Sequence, residues 1–202
     1  MTKPNPLNPH GYELILASGS PRRQAFLQEL GLPFRVKKFE VAENFPNQLK
    51  GAEIATYITT QKAAPFRADI KANQLVITAD TIVWHQGKYL GKPENKEEAR
   101  EMLNNLSDAT HEVITAVGLL QKEDWEVFTE ITKVTFNALS AHEIESYIDS
   151  GAPMDKAGAY GIQDRIGTLG ISKISGSYTN VVGLPMAQFF DKLVNKLSQP
   201  YQ

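Results

Sequence analysis

Two segments, His111 to Gln121 and Trp125 to Phe136, alternate apolar and polar side chains and are joined by the charged triplet Lys122-Glu123-Asp124. A side-chain period of two marks extended chain with one face toward a core, and so short a link returns the second strand antiparallel to the first. Strands joined through helices pair parallel, so a sheet holding both this hairpin and such strands is mixed. The rest of the chain supplies them. Glu13 to Ala17 is a short apolar run ending at Ser18-Gly19-Ser20. Pro21 then occupies the first position of a helix capped by Ser20, running through Leu30 to a stop at Gly31. Pro33 to Phe39 reads as a second strand, followed by an acidic, asparagine-rich loop to Lys50, and Gly51 to Ala64 as a helix that projects Lys62 before Pro65 disturbs it. Leu75 to Thr78 and Thr81 to Trp84 are β-rich, which places Asp80 within a strand or at a break in one. Gln86-Gly87-Lys88 turns the chain toward Tyr89-Leu90.

Asn95 with Glu98 reads as a capping box opening a helix to Leu106, and Ser140 with Glu143 as another whose helix ends at Gly151. After the glycine-dense stretch Gly158 to Gly183, a last helix begins near Pro185 with Phe189, Phe190, Leu193, Val194 and Leu197 on its core face. The fold class is therefore α/β with a mixed sheet flanked by helices. Residues 1–12 are expected to be a flexible N-terminal extension, and 13–202 a single domain.

Composition narrows the function classes. With 42% apolar and 22% charged residues the chain can bury an ordinary core. Its 21 Lys and Arg against 23 Asp and Glu leave a formal charge of −2, which offers neither nucleic acid nor an anionic membrane a basic stripe. Val113 to Leu120, the longest nearly apolar run, is too short to span a bilayer. Zero cysteines remove disulfides, thiolate metal sites and a cysteine nucleophile together and fit a reducing compartment. The four histidines, His10, His85, His111 and His142, show no metal-ligand spacing, and neither a P-loop nor a nucleophile elbow is present.

Four short constellations carry chemistry. Ser18-Gly19-Ser20-Pro21-Arg22-Arg23 sets two hydroxyls, free backbone N–H groups and two guanidinium groups at a strand end and helix start, a place that suits phosphate. Taken alone, a capping serine and solvated arginines explain it equally well. Thr78-Ala79-Asp80-Thr81 interrupts an apolar strand pair with a carboxylate able to hold Mg²⁺, orient water or act as a base. A turn aspartate satisfying its own backbone is the plainer account. Gly91-Lys92-Pro93 braces an ammonium between two conformationally special residues, although most loop lysines are simply solvated. Asp155 to Gln163 (DKAGAYGIQ) lets backbone approach a ligand and ends in an amide able to read a base edge, or is a plain glycine-rich connection.

Taken in order, SGSPRR, ADT, GKP, DKAGAYGIQ and Ser177 to Pro185 (SYTNVVGLP) resemble the Maf family of nucleoside triphosphate pyrophosphatases, from about Leu14 to the last helix. The resemblance implies an elongated mixed sheet whose two lobes flank a central cleft, as in inosine triphosphate pyrophosphatases. It implies a cytoplasmic, divalent-metal-dependent hydrolase, with Mg²⁺ or Mn²⁺, that splits a nucleoside triphosphate between the α and β phosphates, and it implies a homodimer. It places the proton-accepting aspartate on Asp80, phosphate-binding residues on Ser18, Arg22 and Arg23, and the two active-site lysines on Lys62 and Lys92. An acidic residue falls on Glu43, with Glu40 as the alternative, and Asp80 and Glu43 are the expected metal ligands. The subgroup acting on dTTP and UTP carries an arginine, a threonine and a glutamine where this chain has Arg22, Thr81 and Gln163, so dTTP, UTP or modified pyrimidine nucleotides are the expected substrates. The charges agree: a triphosphate carries about four negative charges, which Arg22, Arg23, Lys62, Lys92 and one divalent ion would balance. A nucleotide-binding regulator of cell division or septum formation is the alternative, and Asp80 together with Lys92 speaks against it, because a binder needs no water-activating carboxylate.

Overall fold

The structure, a computed structural model, describes residues 5–200. Of the expected flexible extension, residues 1–4 lie outside the described residues. From Asn5 onward the segment packs on the domain, with Leu7 against the core, and the buried Asn8 side chain exchanges two 2.8 Å hydrogen bonds with the Tyr12 backbone.

Seven strands form one sheet in the order β2-β1-β3-β5-β6-β7, with β4 paired to β3 off that path. β1 (Glu13–Leu16) runs parallel to β2 (Phe34–Val36) and to β3 (Gln74–His85). β4 (Lys88–Leu90), β5 (Thr110–Leu120), β6 (Trp125–Phe136) and β7 (Ile171–Ser175) all pair antiparallel. The mixed sheet and its central hairpin are as the alternation requires. β2 is shorter than expected from Pro33 to Phe39, because it borders β1 alone and lies at the edge of the sheet.

The length of β3 makes the cleft. On one edge, β1 covers residues 74–77 and β4 covers 83–85, which leaves 78–82 without a strand partner on that side. Asp80 therefore lies inside an unbroken strand, on its one uncovered stretch. Alternation then sends Asp80 and Thr81 to opposite faces, Asp80 to a lysine of α2 (Ala52–Ala63) and Thr81 to an arginine of α1 (Pro21–Glu29).

The helices are held by the local chemistry that starts and stops them. α1 begins at Pro21 under a Ser20 side chain that accepts from the Arg23 N–H, and just beyond its end Gly31 takes φ +64°. Its buried residues, Arg23 and Leu27, are one turn apart on the inner face. α2 buries Ile54, Ala55, Ile58, Thr59 and Ala63 on the sheet and hands over at Pro65 to a 3₁₀ turn. At α3 (Lys96–Leu106) only half of the expected capping box forms: the Asn95 side chain accepts from the Glu98 N–H, while the Glu98 carboxylate accepts from Glu94 instead of Asn95. At α4 (Ala141–Asp149) the box of Ser140 and Glu143 is complete.

Within the glycine-dense stretch lie α5 (Arg165–Gly170), β7 and α6 (Tyr178–Val182), none of them expected. α7 (Met186–Leu197) buries Phe189, Leu193 and Leu197, while Phe190 and Val194 flank that stripe half-buried. One core joins β1, the start of β3, α1 and α7, and a second joins the other end of β3, β5, β6, α3 and α4, so the uncovered stretch of β3 lies between two lobes. Among the described residues no helix is long and apolar enough to cross a membrane.

Candidate active site

A cavity of about 970 Å³ opens over that stretch of β3. It is lined from one lobe by the Ser18 to Arg23 segment and from the other by residues 155–157 and 160–164, with Glu43, Lys62 and Lys92 along its side. Each expected site residue borders it.

The centre is a charge cluster. The last turn of α2 aims Lys62 so that its Nζ lies 2.6 Å from Asp80 Oδ1 and 2.9 Å from Glu43 Oε1, and Lys92 Nζ is 3.8 Å from the same Glu43 oxygen. Glu40 also lines the cavity, but among the described residues it forms no ion pair. Burial raises the Asp80 pKa, against the opposing pull of Lys62. For Glu43 the balance reverses: burial would raise its pKa, but Lys62, followed by Lys92 and Arg23, holds it below the usual carboxylate range.

Hydrogen-bond directions assign different capacities to the other residues. Ser18 Oγ accepts from the Ser20 N–H at 3.3 Å and from Arg23 Nη1 at 3.1 Å. Both lone pairs are engaged and its proton has no acceptor among the described residues, so Ser18 faces the cavity as a donor. Arg23, buried, is committed to the protein: Nε donates to Gly183 O, Nη1 to Ser18 Oγ and Ala79 O, and Nη2 to Thr81 Oγ1. A guanidinium has five N–H groups, so one remains for a ligand. The arginine clamps α1, the open stretch of β3 and the turn before α7 together, a role beyond the paired phosphate contact expected for it. Arg22 is the more accessible of the two and reaches across the cleft to Asp155, 3.4 Å away. Gln163 is exposed, and its amide has no hydrogen-bond partner among the described residues.

Lys38, Tyr89 and Lys156 also line the cleft and were not anticipated. Lys156 is held by Ala152 O and Asp155, each at 2.6 Å, and packs close to Gly161. Its place in the DKAGAYGIQ run was a visible signal, whereas Tyr89 stood in a hairpin with nothing to mark it. Gly158 fixes that run to β3: its N–H donates to Gly91 O at 2.9 Å, its φ is +66°, and a Cβ there would stand 2.8 Å from Val83 Cγ2.

The pattern of the Maf-like protein family matches residues 13–196. The chain belongs to that family. Among this Maf-like protein's relatives is the "dTTP/UTP pyrophosphatase" of Flavobacterium johnsoniae, 47% identical over 182 residues, 90% of this chain and 94% of the relative. Another of that name, from Flavobacterium psychrophilum, is 49% identical over 183 residues, 91% of this chain and 94% of the relative. Among solved structures, the Staphylococcus aureus Ham1 protein is similar over 61% of this chain and 71% of its own, at 15% identity and a TM-score of 0.42.

Proposed function

We propose that this Maf-like protein hydrolyses dTTP and UTP to the nucleoside monophosphate and pyrophosphate, by attack of water on the α-phosphorus. The observation that carries the reading is the Asp80–Lys62–Glu43 cluster, seated on the uncovered stretch of β3 inside a cleft with Ser18, Arg22 and Lys92 around it. The relatives named dTTP/UTP pyrophosphatase support the choice of nucleotides.

The donor chemistry fits a divalent cation. Two carboxylates lie within reach of one ammonium, and Mg²⁺ is commonly held by one or two carboxylates with substrate phosphates completing its shell. Among the described residues no group of three His, Cys, Asp or Glu gathers into a ready-made cage. Asp80 and Glu43 would hold it, and it would supply charge neutralisation and orientation of the phosphates.

The chain's own groups divide the remaining work. Ser18 donates its free O–H to a phosphate oxygen, and Arg22, Lys92 and the last N–H of Arg23 meet the charge that grows on the leaving pyrophosphate. Asp80, buried on the open stretch of β3, accepts the proton of the attacking water. Thr81 and Gln163 face the pyrimidine. The cytoplasmic location and the homodimer rest on the family resemblance alone.

A panel of dTTP, UTP, CTP, ATP and GTP with Mg²⁺ or Mn²⁺ tests the reading. The expected products are dTMP or UMP with pyrophosphate, formed only with metal. Orthophosphate with a nucleoside diphosphate, or tight binding without turnover, contradicts it, the latter in favour of a regulator.

A further inference from the structure

The threonine that borders the cleft is wired from behind. Arg23 Nη2 donates to Thr81 Oγ1 at 2.9 Å, Thr81 Oγ1 lies 2.9 Å from Thr115 Oγ1, and Thr115 Oγ1 lies 3.1 Å from the backbone oxygen of Asn180. A carbonyl oxygen cannot donate, so the Thr115 proton goes to Asn180. The bond between the two hydroxyls must then carry the Thr81 proton toward Thr115. Thr81 has thus spent its only proton, and one lone pair, inside the protein.

The far end of this chain is fixed as firmly. Asn180 is fully buried, and its Nδ2 donates to Val113 O at 3.0 Å and to Thr132 Oγ1 at 2.9 Å. Thr132 Oγ1 in turn accepts from the Ser177 N–H and donates to Ser177 O. Thr115 and Thr132 are each fully buried, with no water-facing alternative for their hydroxyls. Every proton from the guanidinium to Ser177 has one consistent direction, which makes the order hard to reverse.

We propose that Thr115 and the Asn180 carbonyl lock the Thr81 hydroxyl as a hydrogen-bond acceptor, so that the cleft selects at this point a substrate group that donates. Resting on the proposed hydrolysis of dTTP and UTP, this assigns the partner of Thr81. Triphosphate oxygens only accept, and they match the free proton of Ser18 instead. Uracil and thymine offer the ring N3–H, whereas cytosine presents a bare acceptor nitrogen there. Thr115 is then a positioning residue for base choice, although it touches no substrate.

The experiment compares kcat/KM for UTP and CTP, which differ only in the base, in the wild type and in Thr115→Val, Thr115→Ala and Thr115→Ser, with thermal melts to establish folding. Removal of the Thr115 hydroxyl frees the Thr81 proton to turn toward cytosine N3. The UTP:CTP ratio is expected to fall about 10-fold or more in the valine variant, or in the alanine variant should valine not fold, while serine keeps the wild-type ratio within about two-fold. An unchanged ratio in the hydroxyl-less variants overturns the proposal, as does a parallel loss of both nucleotides. So does a serine variant that behaves like valine, since that is a packing effect. A selective wild type with unaltered variants overturns the lock alone, whereas a wild type that does not hydrolyse UTP overturns the functional reading and the lock together.

Discussion

Arg22 and Arg23 are adjacent and chemically identical, and the fold gives them opposite tasks. Arg23 fastens four acceptors on three segments, so Arg23→Lys, with one compact ammonium, leaves several of them buried without a donor. The expected outcome is a stability loss of about 2–4 kcal/mol in urea unfolding together with loss of activity. Arg22→Ala, and likewise Lys92→Ala, is expected to lower kcat/KM for dTTP by roughly 10²-fold with little change in stability, since each side chain is partly exposed and, among the described residues, forms one ion pair with a carboxylate. An Arg23→Lys protein as stable as the wild type contradicts the clamp. Asp80→Asn keeps the shape of the side chain but removes its charge, and turnover is expected to fall about 10²–10⁴-fold in a protein with wild-type circular dichroism. The residue types at these positions were legible in the amino-acid sequence. The division of labour was not, because it depends on which acceptors, from Ser18 to Gly183, the fold gathers around one guanidinium.

At the scale of elements, what could be read followed local rules. α1 carries its own cap, proline and glycine stop, and the β5–β6 hairpin its own period and turn, so both arose where expected. α5, β7 and α6 are each six residues or fewer, too short for a period to show. β7 is a strand because the edge of β6 is there to pair with it, a fact of tertiary structure. The same holds for Asp80, whose place between β1 and β4 is created by the unequal lengths of three strands. The loop from Asp155 to Gln163 depends on Gly158, where a side chain would meet both a positive φ and a β-branched neighbour. Gly158→Ala is therefore expected to destabilise the fold by at least about 1 kcal/mol, measured by urea unfolding. It should also raise KM for dTTP, as Gln163 and Lys156 sit on the displaced loop. Unchanged stability and KM would show that the loop is not pinned there.

Across the whole molecule, stability has an acid edge set by a buried histidine behind the wall of the cleft. His111 is buried beside His85 and lies 2.7 Å from the Tyr160 hydroxyl, and burial, with His85 adding to it, lowers its pKa to about 3. In the unfolded chain the ring titrates near 6.5, so below that pH the unfolded state binds a proton that the folded state refuses. This contribution is complete above about pH 6.5 and is lost as pH falls toward 3, amounting to roughly 2 kcal/mol between pH 7 and 5. Urea midpoints should drop over that interval in the wild type and change less in His111→Phe; equal slopes would contradict the assignment. The cleft makes the larger claim, that two lobes around the open stretch of β3 bring water to the α-phosphorus. Hydrolysis of dTTP in ¹⁸O-labelled water tests this most directly, by mass spectrometry of both products after a single turnover. The account predicts one labelled oxygen in dTMP and none in pyrophosphate. Label in pyrophosphate or orthophosphate would place the attack on another phosphorus and contradict it.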